Sequence, residues 1–149
     1  MYNHALPETG LLRGRTAASA EVLTGVQHRA EPGRHSQQTV SVIIPVYNSA
    51  DTLKLCLERL RESATPPMEC IVVDDGSTDD AASVARECGV SVLSTGGRTG
   101  PARARNLGAA QARGQILFFL DADVCVSPGT IARVQSAFEE DSTLDALIG

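Results

Sequence analysis

With 149 residues the chain has room for one domain, and 42% hydrophobic with 21% charged residues are the proportions of a globular core under an ordinary surface. The 13 basic and 18 acidic residues leave a net charge of −5, and the acidic excess lies wholly in residues 39–149, because residues 1–38 hold four arginines against three glutamates. An acidic body with no tryptophan and few aromatic rings excludes a nucleic-acid binder, which needs basic surface and stacking platforms.

Residues 1–38 mix Pro7, Gly10, Gly14, Gly25, Pro32 and Gly33 with small and polar residues and show no sustained periodicity. They read as a disordered or weakly structured leader, with room for a short helix around Ala17–Val26. The layout is not that of a signal peptide, and no run approaches the roughly 20 apolar residues of a membrane span. From residue 39 the character changes, and 39–149 reads as the folded domain.

Val40–Val46 is an apolar run, a buried strand that opens into Pro45-Val46-Tyr47-Asn48. Leu53, Leu57 and Leu60 then recur at helical spacing, with Asn48 or Ser49 as the cap. Cys70–Val73 is a second apolar strand. A helix over Asp79–Cys88 follows, capped by Ser77 and closed by Gly89. Val90–Leu93 is the third strand. After Gly96-Gly97-Arg98-Thr99-Gly100, Pro101 opens a helix running to about Arg113. Ile116–Leu120 is the fourth strand and ends in Asp121-Ala122-Asp123. Ser127-Pro128 starts a helix to Glu140, and Asp145–Gly149 reads as the approach to a further strand.

Strand and helix thus alternate four times. That order predicts an α/β, Rossmann-like fold: a mainly parallel sheet with helices on both faces. Ligands bind such sheets beyond the carboxyl ends of the strands, where Pro45–Asn48, Asp74–Ser77 and Asp121–Asp123 all fall. The histidines, His4, His28 and His35, all precede residue 39, so zinc sites and histidine triads are excluded from the domain. Cys56, Cys70, Cys88 and Cys125 form no CxxC pair and sit in apolar stretches, as buried reduced thiols of a cytoplasmic protein do.

At the rim, Asp121 and Asp123 are two residues apart and, on extended chain, point to the same side. So placed they can share a magnesium or manganese ion, or serve simply as solvated loop residues. Asp75 can accept from a base N–H or a ribose hydroxyl, and Gly76 lets backbone approach a ligand. The plainer alternative is a strand-to-helix turn. Arg98, Arg103 and Arg105 bracket a helix start, a place that favours phosphate, or line a solvated face. Asn106, an amide inside Ala102–Ala110, needs a partner if it is buried. Tyr47 either covers a base or packs in the core.

Together these segments resemble the family 2 glycosyltransferases, whose nucleotide-binding fold is called GT-A. The resemblance is carried by Val40-Ser41-Val42-Ile43-Ile44-Pro45-Val46-Tyr47-Asn48, Ile71-Val72-Val73-Asp74-Asp75-Gly76-Ser77-Thr78-Asp79, Gly100-Pro101-Ala102-Arg103-Ala104-Arg105-Asn106-Leu107-Gly108 and Leu117-Phe118-Phe119-Leu120-Asp121-Ala122-Asp123. It implies transfer of a sugar from a nucleotide-sugar donor, often UDP-linked, to an acceptor hydroxyl with inversion, the acceptor being a glycan, lipid or protein. Pro45, Tyr47 and Asn48 would lie beside the nucleotide and Asp75 on its base, with Gly76 close. Arg98 or Arg105 would lie near the nucleotide, and Asn106 would support their loop. Asp121 would contact ribose or sugar, and Asp123, with Asp121, would ligate the metal.

The family's general base lies well downstream of Asp-x-Asp. Only 26 residues follow Asp123 here, so the chain reads as the partial, donor-binding portion, with an incomplete sheet. The reduced thiols put it in the cytoplasm, where it would be free or peripheral to the inner face of a membrane. Two rivals remain: a non-catalytic nucleotide-sugar-binding module, and a haloacid dehalogenase-type phosphatase with Asp121 as nucleophile and Asp123 as acid/base. The latter needs a downstream lysine, and the single lysine, Lys54, lies upstream.

Overall fold

The computed structural model describes residues 38–147. The leader and the helix expected around Ala17–Val26 fall, Gln38 apart, outside the described residues, as does the end of the strand expected at Asp145–Gly149. Among the described residues eight elements follow one another: β1 (Val40–Val46), α1 (Ala50–Arg61), β2 (Glu69–Asp74), α2 (Ala81–Glu87), β3 (Ser91–Ser94), α3 (Pro101–Gln111), β4 (Ile116–Phe119) and α4 (Thr130–Glu140).

The four strands form one sheet in the order β3-β2-β1-β4, every pairing parallel. β1 is central, and each of its residues is buried. Its side chains alternate between two cores. Val42 and Ile44 join Leu53, Cys56, Leu57, Ala81, Ala85 and Ile131, from α1, α2 and α4. Ile43 joins Ile71, Val73 and Ala104, with Leu107 of α3 packed alongside. A strand covered on both faces must be apolar at successive positions, which is why β1 carries Val42–Val46 and β2 carries Cys70–Val73 without a polar residue. α3 reaches the sheet closely because Gly108 faces it; a Cβ there would stand 2.5 Å from Ile43 Cγ2.

The chain moves outward from β1 through β2 to β3 with α1 and α2 on one face. It then returns across the other face by α3 to β4, on the opposite side of β1. The order therefore reverses between β1 and β4, and a crevice opens beyond their carboxyl ends. Among the described residues β4 is the outermost strand on that side, and its Leu117 and Phe119 are 40% and 44% exposed.

Several element ends differ from the sequence reading, each because a side chain from elsewhere takes the backbone group. Ser49 stands at the N-cap of α1, but its side chain makes no capping bond; Asp79 supplies the acceptor, its Oδ2 accepting from Ala50 N–H at 2.9 Å and its Oδ1 from Ala81 N–H at 3.1 Å. One carboxylate thus serves two helix starts, and α2 begins at Ala81 instead of Asp79. Ser77 is not the cap; its hydroxyl accepts from Asn48 N–H at 3.0 Å. α4 begins at Thr130, since the Pro128 carbonyl is held by Ala64 N–H and the Ser63 hydroxyl, both at 3.0 Å.

α3 stops at Gln111, short of Arg113, where Ala112 turns extended. Arg113 N–H donates to Glu69 Oε1 at 2.7 Å, and its guanidinium forks onto Glu69 Oε2 at 3.1 and 3.0 Å. The buried Ser41 hydroxyl donates to Glu69 Oε1 at 2.7 Å and accepts from Gly114 N–H at 2.8 Å. These contacts, the Arg113 N–H first, hold the Glu69 carboxyl below its ordinary range.

The cysteines depart from expectation too. Cys56 is buried, Cys70 and Cys88 are half-buried, and Cys125 is exposed, because Val126 takes the inward position on that loop. All four thiols are free, and burial pushes Cys56 up to about 11 and Cys70 to about 12. Both are inert thiols at neutral pH.

Candidate functional site

A cavity of about 360 Å³ lies at the carboxyl ends of β1, β2 and β4. Its walls are Pro45, Val46, Tyr47, Ser49, Asp75, Pro101, Arg105, Asp121, Ala122 and Asp123. Pro45, Tyr47, Asp75, Arg105, Asp121 and Asp123, six of the residues singled out in the sequence, therefore meet in one place.

The two aspartates after β4 reach the cavity by a route other than extended chain. Val124 N–H bonds back to the Asp121 carbonyl at 3.0 Å, so Asp121–Val124 is a tight turn. Ala122 at its apex is buried, while both carboxylates stand exposed. Asp121 is paired with Arg105 of α3, whose Nη2 lies 2.5 Å from its Oδ1. Asp123 makes no hydrogen bond or ion pair among the described residues. Such a hard oxygen donor fits magnesium or manganese. Among the described residues no three metal-ligating side chains cluster.

Asp75 is 4% exposed and accepts four hydrogen bonds from one loop. Its Oδ1 takes the Thr95 hydroxyl at 2.9 Å, Thr99 N–H at 2.8 Å and the Thr99 hydroxyl at 2.7 Å; Oδ2 takes Gly100 N–H at 2.7 Å. Burial, the largest single influence, works against ionisation, but the four donors together outweigh it and bring the carboxyl down from 3.8 to about 2. The sign follows from linkage: a depressed folded value stabilises the fold above the unfolded value, and that contribution is lost as pH falls. The stability difference between wild type and Asp75→Asn should hold steady above pH 3.8 and shrink as pH drops toward 2. Urea denaturation across that range measures it; a difference independent of pH would show that the four donors do not act on the ionised form.

The remaining residues are placed as follows. Arg98 is exposed and lies over the Tyr47 ring, 4.5 Å from its centroid, within cation–π range. Tyr47 is itself 36% exposed, so it is not a core residue. Gly76 has φ +81°, and a Cβ there would meet Gly97 C at 2.7 Å and Arg98 N at 2.8 Å. Its openness is filled by backbone of this chain. Asn48, at φ +48°, turns its Oδ1 to Thr78 N–H at 2.7 Å and so links the first two strand-end loops; it does not line the cavity. Asn106 is exposed and lies outside the cavity lining, so no desolvation cost forces a partner on it. Arg103 is exposed and likewise outside.

Sequence reasoning missed Ser49 as a wall residue, and Thr95 and Thr99 as partners of Asp75. The two threonines flank Gly96-Gly97-Arg98, but nothing in the sequence ties them to a carboxylate 20 and 24 positions earlier.

A parallel sheet with helices on both faces, and with a cavity of acidic and arginine-bearing walls at its switch point, defines a doubly wound α/β domain whose cavity lies where such folds bind ligands. Residues 41–148 match the family described as "Glycosyl transferase family 2", and the chain belongs to that family. "Glycosyltransferase GlyG" of Streptococcus pneumoniae is 30% identical over 117 residues, covering 75% of this chain and 38% of that protein. Among solved structures, S. aureus TarS 1–349 in complex with UDP-GlcNAc superposes with TM-score 0.63 at 29% identity, covering 69% of this chain and 32% of that one. The mannosyltransferase PcManGT of Pyrobaculum calidifontis, in complex with GDP-Man and Mn2+, superposes with TM-score 0.62 at 30% identity, covering 66% and 31%. The fold is GT-A, and the chain spans about a third of the length of these relatives. The Asp121/Asp123 segment lies inside the matched region, and Lys54 is on the exposed face of α1, so the phosphatase reading has no support.

Proposed function

We propose that this chain supplies the donor side of an inverting, metal-dependent glycosyltransferase. It would hold a UDP-linked sugar for transfer to a hydroxyl of a glycan, lipid or protein, in the cytoplasm and peripheral to the inner face of the membrane. The observation that carries this is the single cavity shared by Tyr47, Asp75, Arg105, Asp121 and Asp123. No helix among the described residues is long and apolar enough to cross a membrane, and the free thiols suit a reducing compartment.

In the reaction the acceptor oxygen bonds to the anomeric carbon as the bond from that carbon to the β-phosphate oxygen breaks. The electron pair leaves on UDP, and the acceptor proton passes to a general base. A bound magnesium or manganese ion supplies charge neutralisation for the departing diphosphate. Asp123 is the ligand free to hold it, with Asp121 beside it or turned to the ribose. Arg105 offers a second cation toward the diphosphate. Pro45 and Tyr47 flank the base on one side. Asp75 is held ionised, and among the described residues its Oδ2 accepts a single N–H, so it can take a base N–H as well. Arg98, over Tyr47, closes the nucleotide end.

Carboxylates that line the cavity, Asp75, Asp121 and Asp123, all have donor-side tasks in this scheme. Glu139 and Glu140 close α4 and Asp141 follows it, outside the cavity lining. This favours a second reading for the isolated chain: it binds donor and does not turn it over. The test is thermal melting with UDP or GDP, each with and without Mn2+, followed by a turnover assay with UDP-sugar. UDP should raise the melting temperature more with metal than without. Equal shifts with and without metal would remove the metal-dependent reading, and a larger shift with GDP would reassign the nucleotide. Turnover would show that the base lies within this chain.

A further inference from the structure

We propose that Thr95 and Thr99 are positioning residues for donor binding, acting through Asp75 without touching the ligand. The inference deepens the donor-site reading above and rests on it.

The segment between β3 and α3 has an awkward path. β3 is an edge strand, and α3 lies over β1 and β2 on one face of the sheet. Residues 95–100 must cross the end of β2 to join them. Gly96, Gly97 and Gly100 take φ values of +82°, +153° and +97°, which free the chain to make that crossing. It runs directly on the backbone of Gly76, where only the missing side chain leaves room.

Both ends of this strap are tied to one carboxylate. Thr95 holds the near end through its hydroxyl, and Thr99 and Gly100 hold the far end through two N–H groups and the Thr99 hydroxyl. The Thr95 oxygen also lies 2.5 Å from the Gly97 carbonyl, so its one proton is shared between Asp75 and the middle of the strap. Between the two ties stands Arg98, on the Tyr47 ring. Immediately after the second tie come Pro101 and, one turn on, Arg105, both in the cavity wall. Neither threonine lines the cavity. Their hydroxyls therefore act on the ligand only by fixing where Arg98 and the first turn of α3 stand. Apparent affinity is proportional to the fraction of molecules whose strap is in the binding arrangement, so it falls as that fraction falls.

The test measures UDP affinity in the presence of Mn2+ by calorimetry on this chain, beside its melting temperature without ligand. Thr99→Val keeps the volume and the N–H but removes the hydroxyl; Thr99→Ser restores the hydroxyl. Thr99→Val should weaken UDP by about tenfold, the weight of one charge-assisted hydrogen bond. Thr99→Ser should stay within about twofold of wild type, since a hydroxyl to the same carboxylate is retained. A merely structural role would lower the melting temperature and leave affinity alone, or would leave serine as weak as valine; either result overturns the inference. If Thr99→Val does not fold, Thr95→Val decides in the same assay, with weaker binding expected and unchanged binding overturning the proposal. Wild type failing to bind UDP removes the donor-site reading and this inference with it. Wild type binding while Thr99→Val binds equally removes the inference alone.

Discussion

Asp123→Ala should abolish the manganese-dependent part of the UDP-induced rise in melting temperature while leaving the fold intact. The side chain is exposed and has no hydrogen bond or ion pair among the described residues, so its removal should cost the ligand-free protein less than about 0.5 kcal/mol. The ligand effect is larger: at a UDP concentration about 100 times its dissociation constant, binding stabilises by about 2.7 kcal/mol, a shift of several degrees for a domain of this size. Losing the metal ligand should remove most of that. Asp121→Ala should behave differently, because it also releases Arg105 from its pair. It should weaken UDP both with and without metal. If Asp123→Ala keeps the full metal-dependent shift, the cation is held elsewhere and the proposed roles of the two aspartates are wrong.

Gly76→Ala should destabilise the domain by roughly 3 kcal/mol, combining about 1 kcal/mol for a side chain at positive φ with overpacking of about 2 kcal/mol. The added carbon would meet backbone atoms of Gly97 and Arg98 below 3 Å, and backbone cannot swing aside as a side-chain end can. Relief requires lifting the strap, which breaks the Asp75 hydrogen bonds and draws Arg98 off Tyr47. The variant should therefore lose UDP affinity beyond what its lowered stability accounts for, as read by calorimetry well below its melting temperature. A Gly76→Ala protein as stable as wild type and with equal affinity would show that the strap does not need this contact.

Helix and strand were legible from the sequence wherever one residue's surroundings decide its place. The apolar runs Val42–Val46 of β1 and Cys70–Val73 of β2 require burial on both faces, and that alone calls for a parallel sheet with helices on each side. Leu53, Leu57 and Leu60 recur at the spacing that buries one face of α1. The ordered motifs put Asp75, Asp121 and Asp123 at strand ends, and strand ends of such a sheet converge on one rim. None of this needs knowledge of partners distant in the chain.

Tertiary structure decided whatever depends on which two segments meet. Asp79 caps α1 from the next strand-end loop, Glu69 ends α3 by capturing Arg113 N–H, and Asp75 collects two threonines that look unremarkable in the sequence. Asn106, an amide in an alanine-rich helix, reads as needing a partner until its exposure is seen. Asp121 and Asp123 share a cavity because of a tight turn, where alternation along a strand would have had them do so. Hydrogen bonds are short-ranged and directional, so their partners are set by the packed arrangement of the elements, whereas hydrophobic burial is non-directional and leaves its period written along the chain.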